Sequence, residues 1–319
     1  MRHALAAAVM AVAWADPFAF LNPTAALSEK EQRRLADGEA IVRTVRSRPR
    51  EVTLVSAVRI AVDGPRLVSW YRSIEQLRAS TYVPEIGRFS SPPRIEDLER
   101  LTIEPVDIDE LRRCKPDDCG VKLRPAEIVE LKQSFTQPRD LQLEAIQVAF
   151  RRVVLGRAQE YLRSGRPDGP PPPVFLSTHW PRVSGPIVRF PRDPIPDSES
   201  FLYWAKEDLS GKPIVSATHV TITNTGSNPS SPLVVSRQIF ATHYEDGAWA
   251  VSTIAHDEHG LRYFVYVNQT EVDLLGGIFG GLVRSMLERR LRSQASDLVQ
   301  GVRRRMESGE PRSVQAPRN

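Results

Sequence analysis

The stretch from Leu261 to Met306 constrains the fold more than any other part of the chain. It opens as a strand, LRYFVYVNQT, in which Tyr263, Val265 and Val267 alternate with Phe264, Tyr266 and Asn268. A glycine-punctuated turn, LLGGIFGG, follows. Then comes a run from Leu282 to about Arg305 with apolar residues at Phe279, Leu282, Val283, Met286, Leu287, Leu291, Ala295, Leu298, Val302 and Met306. Most of these recur at intervals of about three or four, which is one face of an α-helix. The other face carries Arg284, Arg289, Arg290, Arg292, Arg303, Arg304 and Arg305. So long an amphipathic helix needs a broad apolar partner, and the strand-rich segment just before it can supply one.

The chain has room for that partner. Its 319 residues suffice for one large domain or two modest ones, and 41% of them are hydrophobic. The net charge of +4 is mild and concentrated on the last helix, whose arginines outnumber Glu288, Asp297 and Glu307. A basic face of this kind can meet anionic lipid or nucleic acid, or it can simply be the solvated side of a packed helix. No recognised nucleic-acid module accompanies it. We therefore expect no nucleic acid, and at most a peripheral contact with anionic membrane.

The first 15 residues read as a secretory signal. Arg2 and His3 precede the apolar run ALAAAVMAVAWA, and Ala13-Trp14-Ala15 fits the small-x-small pattern before a cleavage point at Asp16. The run is shorter than the ~20 residues a spanning helix needs. An uncleaved anchor or a plain hydrophobic helix is the alternative. Export, to the periplasm or beyond the cell, would suit Cys114 and Cys119, which flank a Lys-Pro-Asp-Asp turn. A local disulfide is chemically reasonable there. Zinc would need further ligands close by, and none flank the pair, so two inert thiols are the remaining alternative.

Residues 16–49 read as an N-terminal helix and a short strand. Ser28 and Glu31 form a capping box for a helix to about Ala36, and Ile41 to Val45 is strand-like. Arg50 to Val62 alternates as a strand, Asp63-Gly64-Pro65 stops it, and Arg66 to Arg78 is a helix. Thr81 to Phe89 reads as another strand. Residues 90–198 carry little strand signal. Helical runs appear at Ile95–Leu101, Ile108–Arg113, Pro125–Phe135 and Leu141–Leu162, followed by a proline-rich linker and an irregular segment from Val174 to Asp197. Five β-like segments then form a meander: Phe201–Lys206, Pro213–Thr223, Leu233–Tyr244, Ala248–Ala255 and Leu261–Asn268. Residues 308–319 read as a disordered tail.

This order of elements resembles the helix-grip fold of the START-like superfamily, which includes polyketide-cyclase-like and lipid-transfer domains. EVTLVSAVRIAVDGPRLVSWYRSIEQLRAS resembles the opening of such domains, and YVNQTEVDLLGGIFGGLVRSMLERRLRS resembles their close. The resemblance covers 50–89 and 199–307 and implies an α+β fold, a curved antiparallel sheet around a long C-terminal helix. The chain departs from it by carrying residues 90–198 between the second and third strands of that pattern.

A sheet curved around a helix leaves a cavity where the core is not filled, and such cavities hold apolar molecules oriented by a few polar groups. Candidate lining residues are Trp70 and Tyr71 on the first helix of this unit, Tyr203 and Trp204, His219, His243, and Tyr263 and Tyr266, with Phe264 between them. Each can equally be ordinary core. Four of the six histidines lie between His219 and His259, and His256-Asp-Glu-His259 has metal-like composition, but it falls in a turn. We expect no metal and no cofactor. No nucleophile elbow, phosphate loop or dinucleotide fingerprint is present. The expected function is the binding or carrying of a hydrophobic small molecule such as a lipid. The alternatives are a cyclase- or aromatase-type enzyme using His and Tyr in the same cavity, and a non-catalytic envelope interaction protein.

Overall fold

The computed structural model describes residues 27–45, 48–116, 118–165, 169–193, 195, 197–208, 212–224, 232–257, 259–276 and 280–312, with only the backbone of 280, 282 and 283. The signal-like segment 1–15, its cleavage point and residues 313–319 lie outside these. Among the described residues, no helix is long and apolar enough to cross a membrane.

The first helix, α1 (Glu29–Ala36), starts on the expected capping box, with Ser28 and Glu31 satisfying each other's backbone N–H groups. Strands β1 (Ile41–Val45) and β2 (Glu51–Arg59) follow. Asp63 caps α2 (Gly64–Arg72), with Pro65 in its first turn. The helix expected to reach Arg78 breaks at Ser73, whose ψ of 49° leaves the helical region, and resumes as α3 (Ile74–Arg78). The strand expected over 81–89 shrinks to β3 (Glu85–Arg88). There Gly87 lies so close to Trp204 that a Cβ would sit 2.7 Å from its indole.

In segment 90–198 a 3₁₀ turn (Ile95–Leu98) leads to α4 (Pro105–Arg113), α5 (Pro125–Ser134) and the long α6 (Arg139–Ser164). Gly165 ends α6 at φ 67°, where a side chain would collide with the Phe190 carbonyl. Val174 to Asp197 is not irregular as expected. It forms α7 (Val174–His179) and α8 (Pro181–Arg189). The prolines misled because Pro173 and Pro181 sit at helix starts, where a missing N–H costs nothing. Leu176, Val183 and Ile187 bury against Trp249 and Val251. Cys114 and Cys119 are joined by a disulfide that closes a small loop after α4.

The meander runs β4 (Glu199–Glu207), β5 (Ile214–Asn224), β6 (Pro232–Ala241), β7 (Glu245–His256) and β8 (Arg262–Val272), and after a 3₁₀ turn the chain enters α9 (Gly280–Glu307). The eight strands make one antiparallel sheet in the order β1-β2-β8-β7-β6-β5-β4-β3. The protein is thus an α+β fold with a curved, open sheet and a C-terminal helix.

Period-two alternation divides the sheet into two faces. The inner face, with Val58, Phe201, Tyr203, Val220, Val234 and Phe264, packs with α2, α3 and α9. Most of the outer face is covered by the chain between β3 and β4, and its β2–β8 end by α1. Leu98, Leu101, Leu111, Phe150, Val154 and Tyr161 pack there on Leu202, Trp204, Val215, Ala217 and Phe240. Segment 90–198 therefore backs the sheet and does not roof its inner face.

Two expectations about the C-terminal region are corrected. First, α9's arginines are not one solvated face. Arg284 is buried and donates to the Glu51 carbonyl at 2.9 Å and to that of Pro49; Arg303 donates to Gly38 O at 2.8 Å, and Arg292 to Thr44 Oγ1 at 2.7 Å. Met286, placed on the apolar face by spacing, is 66% exposed. Second, residues 308–312 are not a loose tail. Gly309 O accepts from the Trp70 indole at 3.0 Å, Arg312 pairs with the Gln76 amide through its own backbone, and Glu310 meets Arg66 at 3.0 Å.

Candidate functional site between the sheet and the last helix

A cavity of about 400 Å³ lies between the inner face of the sheet and α9. The helix side is mostly apolar, with Leu287, Leu291, Leu298 and Val302; Gln294 and Arg305 are its polar members. Val52 and Leu54 of β2, Ile74 and Leu77 of α3 and Phe264 of β8 continue the apolar lining. Leu274, a lining residue that is 50% exposed, marks where the cavity meets the surface.

The sheet side is different. Arg78, Tyr203, Glu207, Gln238, Glu245 and Tyr266 converge on it from α3, β4, β6, β7 and β8. Arg78 pairs with Glu207 at 2.9 Å and donates to the Tyr203 hydroxyl. Burial alone would lower the Arg78 guanidinium, but Glu207, Tyr203 and Tyr266 outweigh it and hold the group a cation. Gln238 Nε2 donates to Glu245 Oε2 at 2.5 Å, while Gln238 Oε1 is buried with no partner. Burial pushes the Glu245 carboxyl up to about 7 against that hydrogen bond, and the nearby Glu207 adds to the rise. The Tyr71 hydroxyl shares a hydrogen bond with Ser252 Oγ, and burial raises it to about 12. Tyr266 is raised by burial as well. The site thus holds a neutralised ion pair, a carboxyl raised to about 7, and two phenols, Tyr71 and Tyr266, that burial keeps protonated.

Of the residues named from sequence, Tyr71, Tyr203 and Tyr266 line this cavity, as does Phe264. The other five lie elsewhere. Trp70, on α2, is buried, and its indole N–H donates to Gly309 O. Trp204 points to the outer face, fully buried, with its indole N–H on Asp97 O at 2.8 Å. His219 is on the same face, its Nδ1 2.8 Å from the Tyr161 hydroxyl and its ring 4.4 Å from that of Phe190. Burial, and then Arg237, push His219 down to about 3, so it is neutral. His243 is held between Gly120 O at 2.8 Å and Asp107 Oδ1 at 3.1 Å. Desolvation would raise Asp107, but hydrogen bonds from His243 and Lys212 outweigh it and lower its carboxyl. Tyr263 faces outward and donates to Asp257 at 3.1 Å.

The signal that separates these sets is parity. Adjacent residues on a strand face opposite ways, so Tyr203 and Trp204 cannot share a wall, nor can Tyr263 and Tyr266. Fixing the phase of β4 on Tyr203 would also have found Glu207, four residues on. Gln238 and Glu245 were not recoverable this way, because bulges at Ala217/Thr218 and Glu245/Gly247 reset the register beside them. Arg78 sat unnoticed at the end of a helix.

Among the described residues, no group of three or more His, Cys, Asp or Glu side chains could hold a metal ion. No family model matches the chain, and no curated protein matches it.

Proposed function

We propose that the chain is a START-like helix-grip protein that binds or carries an apolar small molecule, such as a lipid, between the sheet and α9. The observation that carries this reading is the cavity of about 400 Å³ walled by α9 leucines and opening near Leu274. Transferring an apolar body from water onto such a surface is favourable by roughly 25 cal/mol per Å² covered, and the polar groups opposite can orient it. The strand order β2-β8-β7-β6-β5-β4-β3, with α9 laid over it, supports the helix-grip assignment, with β1 as an added edge strand. In this reading residues 90–198 are an insertion. The disulfide between Cys114 and Cys119 supports action in an oxidising compartment, periplasmic or secreted.

A cyclase- or aromatase-type reaction in the same cavity would need its proton transfers from Glu245 and the tyrosines, since His219 and His243 lie on the far side of the sheet. Glu245, near 7, is the group on which that alternative stands. A carrier needs no such group.

Native mass spectrometry of the full-length protein tests the carrier reading. A co-purified apolar molecule, released by denaturation, is the expected result. Ala250→Trp, which fills the cavity from β7, should abolish uptake of the fluorescent probe N-phenylnaphthylamine while the protein stays folded. A wild-type protein that carries nothing and takes up no probe would overturn it.

A further inference from the structure

The cavity's two arginines differ in what neutralises them. Arg78 is paired with Glu207 at 2.9 Å. Arg305, on α9, has no acid partner among the described residues. Its guanidinium donates to the carbonyls of Leu77, at 3.2 Å, and of Ala79, at the end of α3. Those bonds hold the group in place without cancelling its charge, and a guanidinium has further N–H groups to give. The acids beside it in sequence are engaged elsewhere, Glu307 with Arg303 at 3.1 Å and Glu310 with Arg66 at 3.0 Å. The acids of the cavity belong to the sheet wall. Glu207 stands beside Arg78, and Glu245 faces Gln238, Glu207, Arg78 and Lys122. Burial and the adjacent Arg304 both oppose the Arg305 charge, and no carboxylate offsets them.

The position suits the head of an elongated molecule. Leu287 packs against Val52, Val272 and Leu275, near the opening at Leu274, and Arg305 lies about 27 Å from it along α9 at about 1.5 Å per residue. Leu291, Leu298 and Val302 line the stretch between. Arg305 is only partly buried, so a charged head there keeps some of its hydration. The volume of about 400 Å³ is near the lower end of the roughly 300–1,000 Å³ of small-molecule sites, which favours one tail over two.

We infer that the ligand is a single-tailed amphiphile with an anionic head, a carboxylate or a phosphate, and that Arg305 receives the head while the tail lies along α9 toward Leu274. This rests on the cavity being a binding site, and it adds the class of molecule bound. Either head presents several oxygens to the guanidinium, and a charged pair of this kind is stronger than a bond between neutral groups.

Displacement of N-phenylnaphthylamine from the full-length protein at pH 8 tests it, with decanoate, decyl phosphate and decanol as competitors of one chain length. An alcohol leaves water more readily than an anion, so the decisive reading is how each responds to Arg305→Met, corrected for the variant's own affinity for the fluorescent probe. Losing the charged partner should weaken decanoate and decyl phosphate about tenfold or more and leave decanol unchanged. Arg305→Gln keeps a donor for the α3 carbonyls; it should act the same way and covers the case in which the Met variant does not fold. Whichever anion loses more names the head as carboxylate or phosphate. Anion binding unchanged in a folded Arg305 variant overturns the inference and leaves the cavity a binding site. Equal weakening of the anions and decanol overturns it too, since Arg305 would then only shape the cavity. No displacement by any competitor, with no uptake of N-phenylnaphthylamine, overturns both the inference and the function proposed above.

Discussion

The two faces of the sheet carry similar residues and do different things with them. On the outer face Trp204, Tyr161 and His219 are locked in solid packing: the Trp204 indole N–H reaches Asp97 O, Tyr161 and His219 bond to each other, and Phe190 lies against both rings. On the inner face Tyr203, Tyr266, Gln238 and Glu245 look into space. Each face leaves an unpartnered buried atom, His219 Nε2 on one and Gln238 Oε1 on the other. Aromatic rings surround the first, whereas the second belongs to a cavity-lining residue. An aromatic or polar residue on a strand thus signals burial, and only its face tells whether that burial serves stability or leaves room for a ligand.

The largest effect expected is on the packed face. Trp204→Ala removes a fully buried indole, and Gly87 beneath it offers nothing to fill the gap. It should cost about 3–5 kcal/mol. On the open face, Leu291→Ala trims a half-buried side chain that already borders a void, and should cost about 1 kcal/mol or less. Urea unfolding of both variants checks this. Equal costs would mean that the cavity collapses around α9 and that the two faces are alike.

A second contrast is in pH, and the two groups have opposite signs. His219 titrates near 3 in the fold against 6.5 when free, lowered by burial and by Arg237; the Tyr161 hydroxyl is the other titratable group against it. The unfolded chain therefore takes up the proton first. The stability is complete above 6.5 and is lost on acidification at about 1.4 kcal/mol per unit, down to about pH 3. Stability measured at pH 6.5 and at 4.5 should differ less in His219→Gln, by about 2–3 kcal/mol. Glu245 is raised from 4.5 to about 7 by burial, with Gln238, Glu207, Arg78 and Lys122 facing it. Here the fold holds the proton more tightly. Stability is complete below 4.5 and declines until about 7. Glu245→Gln should stabilise the protein at pH 8 by on the order of 1–3 kcal/mol and change little at pH 4. A Glu245 variant that is no more stable at pH 8 would mean that water or a fixed cation already compensates the carboxylate.

Much of this was legible before the structure. The capping box at Ser28, the five-strand meander and the final helix follow from local periodicity and turn chemistry, and each appears within a few residues of its expected span. The cavity was legible as a consequence of the resemblance, but only part of its lining was. Tyr71, Tyr203 and Tyr266 were found by residue type, and type also drew in Trp204, His219 and Tyr263 from the wrong face. Arg78, Glu207, Gln238 and Glu245 lie far apart in sequence and meet only because the sheet curves. The path of residues 90–198 over the outer face was not legible, because a helical stripe such as Ile146, Phe150 and Val153 announces burial without saying against what.

The smallest effect concerns α9, whose sides repeat the contrast. Arg284 is a strut, so Arg284→Ala strands the carbonyls of Glu51 and Pro49 and should cost about 1–3 kcal/mol. Arg289 and Arg304 point to solvent. Exposed charges of this kind contribute little to stability, so the double variant Arg289→Ala/Arg304→Ala should melt where the wild type does. What it should change is association with a surface. If α9 lends its outward side to an anionic membrane, as the spacing of its arginines suggested, the double variant should sediment less with vesicles rich in phosphatidylserine, and salt should reproduce the loss. Neutral vesicles should not distinguish it from wild type. Unchanged sedimentation at low salt would remove the membrane contact and leave Arg284, Arg292 and Arg303 their structural role alone.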